Sequence, residues 1–190
     1  MNNHARDVKR SERLSPCDLK LHGNPLDFIH EDHLREREFY LKIDALAQSQ
    51  TPDHDVTDQV LSFLESELPL HLEDEEQDLF PLLVRRCKKE DQIDKAIQRL
   101  KSGHGHADED TSEVLDIIQR NASRNGGISE EERGKLTRFA SHARRQLILK
   151  NAVILPFARL RLTQDDLETL RLRMMQRRGL DKLVETEDAE

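Results

Sequence analysis

Apolar residues recur at alternating steps of three and four along four long stretches of the chain, the spacing of one face of an α-helix. In the first stretch Leu26, Ile29, His33, Glu36, Tyr40, Ile43 and Ala47 share a face, and Arg35, Arg37, Glu38, Lys42 and Asp44 fall elsewhere. Asn24-Pro25 predicts the start, because Asn can accept from the first free amides and Pro needs no donor at the first helical position. The second stretch, residues 55–86, carries Val60, Leu64, Leu68, His71, Glu75, Leu79 and Leu82 on one face. Pro69 and Pro81 interrupt it, which predicts a bent helix whose regular part Pro81 closes. The third, residues 91–121, carries Ile93, Ile97, Leu100, His104, Ala107, Thr111, Leu115 and Ile118. Gly103 and Gly105 flank His104 at a helical cost of about 1 kcal/mol each.

The fourth stretch follows the loop Asn125-Gly126-Gly127 and opens on a capping box, Ser129 with Glu132. Its stripe is Leu136, Phe139, Ala143, Gln146, Lys150, Val153, Phe157 and Leu160. A shorter helix follows: Thr163 caps it, Asp165 and Asp166 sit in its first turn, and Gly179 stops it. The pattern predicts an all-α fold, an up-down-up-down four-helix bundle over residues 23–162 with a short C-terminal fifth helix at 163–179. Residues 1–22 and 180–190 are expected to be charged tails.

Composition agrees with long solvent-faced helices: 36% of residues are charged and only 4% aromatic. The net charge of -8 argues against a nucleic-acid partner. No stretch is apolar enough for a membrane span, and residues 1–20 lack an apolar signal core, so no membrane association is expected. Cys17 and Cys87 form no CxxC pair, which makes a disulfide framework unexpected and a reducing, cytoplasmic setting the expectation.

Each stripe has a polar interruption near its middle: His33, His71 with Glu75, His104, and Gln146 with Lys150. A single buried histidine is ordinarily a satisfied core residue. Three on separate helices, one with a carboxylate a turn later, point to a shared partner, either a metal ion or a dense hydrogen-bond network, since burying them without partners is costly. The acidic run 73–78 is expected to be a solvated face apart from Glu75. The stretch 71–81 has an echo at 146–156, with Leu one place on and Pro ten places on in both. Where the first copy has His71 and Glu75, the second has Gln146 and Lys150.

Phe28-Ile29-His30-Glu31-Asp32-His33, the stretch 71–81, Leu100-Lys101-Ser102-Gly103-His104 and Asn151-Ala152-Val153-Ile154-Leu155-Pro156 resemble the hemerythrin-like, or HHE cation-binding, domain over about residues 24–162. That resemblance implies a four-helix bundle built for a non-haem di-iron centre, used in binding or sensing O2, iron, oxidants or nitric oxide. It assigns His33, His71, Glu75 and His104 to metal positions, with Glu75 as the carboxylate between the metals. The fourth helix departs from the family pattern: Gln146 replaces a histidine and Lys150 a glutamate. Gln is a poor iron ligand, and a protonated Lys repels a cation.

Three accounts follow. The chain holds at most one iron, or a zinc, through His33, His71 and Glu75 with Glu36 or His104. Or Lys150 pairs with Glu75 in a metal-free bundle. Or His142, a turn before Gln146, swings in as a substitute ligand. The corresponding functions are a metal-binding or sensing protein for a small ligand such as O2 or NO, and a metal-free interaction or regulatory module whose protein partner the sequence does not name. Neither a nucleophile–base pair nor a phosphate loop is present, so no enzymatic activity is assigned.

Overall fold

The computed structural model describes residues 23–49, 51, 53–122 and 127–180, without the side chains of residues 103–109. The expected N-terminal tail and residues 181–190 lie outside the described residues. The first helix, α1, spans Pro25–Gln48. Asn24 caps it, its Oδ1 accepting from the Leu26 amide at 3.0 Å, and Pro25 opens the first turn. Helix α2 spans residues 54–86 and is capped by Asp53, whose Oδ1 accepts from the Val56 amide at 3.1 Å. A short turn at Lys89–Asp91, with Gln92 in the left-handed region at φ 50, leads into α3, Ile93–Ala122. Helix α4 spans residues 130–161 and opens on the Ser129–Glu132 capping box. Helix α5, Gln164–Arg177, is capped by Thr163 and Asp166, and it ends where Gly179 takes φ 68 and the Leu180 amide bonds the Met175 carbonyl at 2.9 Å.

The prolines do not end their helices, contrary to the expectation for Pro81. Each is preceded by a wider π turn: Phe63–Glu67 before Pro69, Asp74–Leu79 before Pro81, and Lys150–Ile154 before Pro156. In each case the amide just ahead of the proline bonds five residues back, Leu68 to Phe63, Phe80 to Glu75 and Leu155 to Lys150. A proline offers no donor to the carbonyl four residues behind it, and one extra residue in the preceding turn absorbs that gap without breaking the rod. Glu75 and Lys150 therefore both sit at the mouth of a π turn.

The helices pack in a ring, α1 against α2 and α4, and α3 against α2 and α4. The predicted faces of α1 and α2 are buried throughout. Those of α3 and α4 are corrected. In α3, Val114 and Ile117 are in the core, and Leu115 is half-buried. In α4, Ala140, Leu147, Ile154, Leu155 and Ala158 take core places, while Phe139, Gln146, Val153 and Phe157 are half-buried and Leu160 is exposed. Small residues mark where neighbouring helices approach α4, and the π turn rotates everything after Lys150.

Two apolar clusters fill the bundle. One joins Leu26, Ile29, Phe80, Leu83, Ile97 and Leu100 with Ile154 and Ala158. The other joins Tyr40, Ile43, Val60, Leu64, Val114 and Ile117 with Leu136 and Leu147. Each fully buried large side chain stabilises the fold by about 1.5–3 kcal/mol. Along α1, α2 and α4 the two clusters are separated by His33 and Glu36, by His71 and Glu75, and by Lys150, all buried. The antiparallel order brings these residues to one polar layer.

Candidate metal centre

His33, His71 and Glu75 each direct one ligand-type atom into the layer, and those atoms lie within 4.8 Å of one another. Glu75 Oε1 is 3.2 Å from His33 Nε2 and 3.5 Å from His71 Nε2. Glu36, one turn beyond His33, adds Oε1 at 2.9 Å from His71 Nε2. Its other oxygen accepts from the Tyr40 hydroxyl at 3.0 Å. Two imidazoles and two carboxylates thus converge from α1 and α2. This donor set suits iron, zinc and related divalent ions.

The far side of each ring is also held. His33 Nδ1 lies 3.0 Å from Asn151 Oδ1, and His71 Nδ1 lies 3.5 Å from Asp32 Oδ2. Metal-bound histidines commonly carry such an oxygen partner on the second nitrogen, where it fixes tautomer and ring orientation. Here both rings face oxygen acceptors on both sides. A neutral imidazole has one N–H and can satisfy only one of them. Among the described residues no aligned hydrogen bond reaches either nitrogen of His71 or Glu36 Oε1, although the ions are close. Nitrogen and carboxylate oxygen atoms converged in this way form an arrangement that a cation, either a metal ion or a proton, fits.

Lys150 takes the other side of Glu75, its Nζ 2.5 Å from Oε2, with both side chains buried. The charges of this layer shape one another. Burial alone would raise the Glu36 carboxyl, but the charges of His71 and Lys150 hold it at about 2. Burial opposes ionisation of Glu75 too, and Lys150 and His71 drive it well below the ordinary range. Burial would lower Lys150 and His71, and the carboxylates Glu75 and Glu36 raise both. In the metal-free layer the charges of Glu36 and Glu75 thus favour the protonated form of His71, and Lys150 pairs with Glu75.

The remaining predicted residues are placed differently. Gln146 is half-buried and bonds His142, its Nε2 lying 2.7 Å from the His142 Nε2. His142 is exposed and does not join the cluster as a substitute ligand. Gln146, Tyr40, Glu36 and Lys150 line a small cavity of about 30 Å³ beside the layer. The His104 backbone is helical, and its side chain lies outside the described residues.

The acidic run is also corrected. Asp74 is fully buried and Asp78 nearly so, because both are paired with arginines of α5. A solvated face was expected because those partners, Arg173, Arg177 and Arg178, lie far along the chain, at least 95 residues later.

The chain matches the Hemerythrin HHE cation binding domain over residues 24–158. It belongs to this family. A search of curated proteins returned no match. Within this HHE domain His33, His71 and Glu75 converge from α1 and α2, and Gln146 and Lys150 stand at the corresponding level of α4. Sequence reasoning missed Asp32 and Asn151 and left Glu36 as a substitute. Asp32 and Asn151 lie beside the stripe residues His33 and Lys150, so periodicity gave no sign of them. Tyr40 was assigned to the core for its ring, and its hydroxyl is what reaches Glu36.

Proposed function

We propose that this HHE domain binds one divalent cation, iron in the first place and zinc as the alternative, in a binding or sensing role. The observation that carries this reading is the pair of histidines with oxygen acceptors at both ring nitrogens. His33, His71, Glu75 and Glu36 would hold the ion. Asn151 and Asp32 hold the two rings in orientation, and Tyr40 holds Glu36. Lys150 occupies the other oxygen of Glu75 with a fixed positive charge, so that carboxylate has no oxygen left for a second ion. Asp32, Glu36 and Glu75 against Lys150 leave a formal deficit of two positive charges, which one divalent ion cancels. When bound, the ion would supply a positive centre for a small ligand of the O2 or NO class, beside the cavity lined by Glu36, Tyr40, Gln146 and Lys150. The test is metal analysis of protein produced without an affinity tag, with melting curves before and after addition of Fe(II) or Zn(II). Protein that retains no metal and melts identically with either ion would overturn the reading.

A second reading rests on the 2.5 Å Lys150–Glu75 contact and on the carboxylates Glu36 and Glu75, which favour the protonated form of His71. Protons then play the part of the cation, and the domain is a metal-free module acting through its surface. Buried ion pairs add little net stability over apolar packing, yet removing one partner is strongly destabilising. The same metal and melting measurements separate the two readings.

A further inference from the structure

The described candidate ligands come from only two helices, His33 and Glu36 from α1 and His71 and Glu75 from α2. Helix α5, which begins beyond the matched domain, packs on those same two helices, against α1 and against the π turn Asp74–Leu79. Its apolar face, Leu170, Met174 and Met175, is buried in the cluster that contains Leu26 and Ile29. Its charged residues are matched to α2 at both ends. Near its start Asp166 Oδ2 accepts from Arg86 Nε at 2.7 Å, and Arg85 Nη2 reaches Oδ1 at 2.7 Å. Near its end Arg178 Nη2 lies 2.7 Å from Asp74 Oδ2, Arg177 reaches both Asp74 and Asp78, and Arg173 Nη1 lies 2.8 Å from Asp78 Oδ1.

The π turn carries Asp74, Glu75, Glu76 and Asp78 within six residues. Pro81 sets where this turn lies, through the Phe80 amide bonded to the Glu75 carbonyl. The arginines engage Asp74 and Asp78, four apart on one face, and leave Glu75 facing His33 and His71. We propose that α5 is a positioning brace for the cation site, and that Arg177 and Arg178, by holding Asp74 and Asp78, fix the orientation in which the π turn presents Glu75. This rests on the cation-binding reading above.

The test uses the full chain and Co(II), whose visible bands report its ligands. In the doublet Arg177→Gln with Arg178→Gln, Co(II) affinity is expected to fall by about tenfold or more, with altered bands, as for other residues that orient metal ligands. The doublet Arg85→Gln with Arg86→Gln loosens the opposite end of α5 and is expected to lower the melting temperature while leaving Co(II) affinity and bands unchanged. Arg178→Lys, which keeps the charge on Asp74, should retain most of the affinity. Unchanged Co(II) binding in the first doublet overturns the brace, and so does an equal loss in both doublets. If the unsubstituted protein takes up no Co(II), Zn(II) or Fe(II), the cation reading fails. Amide exchange then decides the brace: exchange across residues 74–80 should quicken in the first doublet and not in the second, and equal exchange rejects it.

Discussion

Glu75 and Lys150 stand at matching places in two helices and meet in the core. Each lies six residues before a proline, each accepts a hydrogen bond from the amide five residues on, and Lys150 Nζ is 2.5 Å from Glu75 Oε2. The second copy of the local motif has thus brought an ammonium against the carboxylate of the first. One oxygen of Glu75 faces the histidines and the other faces this fixed cation.

Replacing Lys150 by Glu should destabilise the metal-free protein by about 3 kcal/mol or more, because a buried carboxylate loses its counter-charge and meets another. The check is denaturant unfolding in the presence of a chelator. Equal stability of variant and parent would show that the Lys150–Glu75 pair contributes nothing.

Stoichiometry should be one divalent ion per chain, measured by elemental analysis after equilibration with Fe(II). Gln146→His combined with Lys150→Glu should raise it to two, with stability rising as Fe(II) is added. Two irons on the unsubstituted chain, or no metal-dependent gain in the double variant, would sink the account of Lys150 as the excluder of a second ion.

Asn151→Ala should lower cation affinity by about tenfold with little change in fold, since it removes the acceptor that orients His33. Asn151→Asp keeps an oxygen at that place and should restore much of the loss. Titration calorimetry with Zn(II) on both variants decides it; equal affinities for the Ala variant and the parent would remove Asn151 from the site.

The metal-free protein should show a stability maximum between pH 4.5 and 6.5. Against the penalty of burial, the charges around Glu36 depress it from 4.5 to about 2, and Lys150 and His71 likewise hold Glu75 well below the ordinary range. A carboxyl depressed by folding adds stability above its unfolded value that is lost as pH falls through the folded one. His71 is shifted the other way, from 6.5 to well above it, with burial again opposed by Glu36 and Glu75. Its contribution is complete below pH 6.5 and lost as pH rises through the folded value. A bound cation takes the place of the His71 proton, so saturating Zn(II) should flatten the alkaline limb. Melting temperatures across pH with chelator and with Zn(II) test this, and an alkaline limb that Zn(II) leaves unaltered would contradict it.

Much of the site was legible because its residues obey helical periodicity. His33, His71, Glu75 and Lys150 interrupt apolar stripes, and a stripe residue is buried wherever the helix packs. Asn151 and Asp32 were not legible, because each lies one position off a stripe and acts only through a histidine that it meets in space. Asp74 and Asp78 looked like solvated acids because their arginines come from α5. The face of α4 was placed about one residue off, since bulk drew attention to Phe139 and Leu160 where Ala140 and Ala158 make the closer approach.

The sequence by itself determined the helices and their ends, because caps, the Gly179 stop and apolar spacing act within a turn or two of chain. It also marked His33, Glu36, His71, Glu75 and Lys150 as polar residues of the buried faces. Only the tertiary structure decided which charge each of them meets. An ion pair depends on distances of a few ångströms between residues that can be more than a hundred positions apart, as Arg177 and Asp74 are, and no local pattern encodes that. Tertiary packing set Lys150 against Glu75, gave the histidines their outer partners, and turned two acids of a charged run into anchors for the fifth helix.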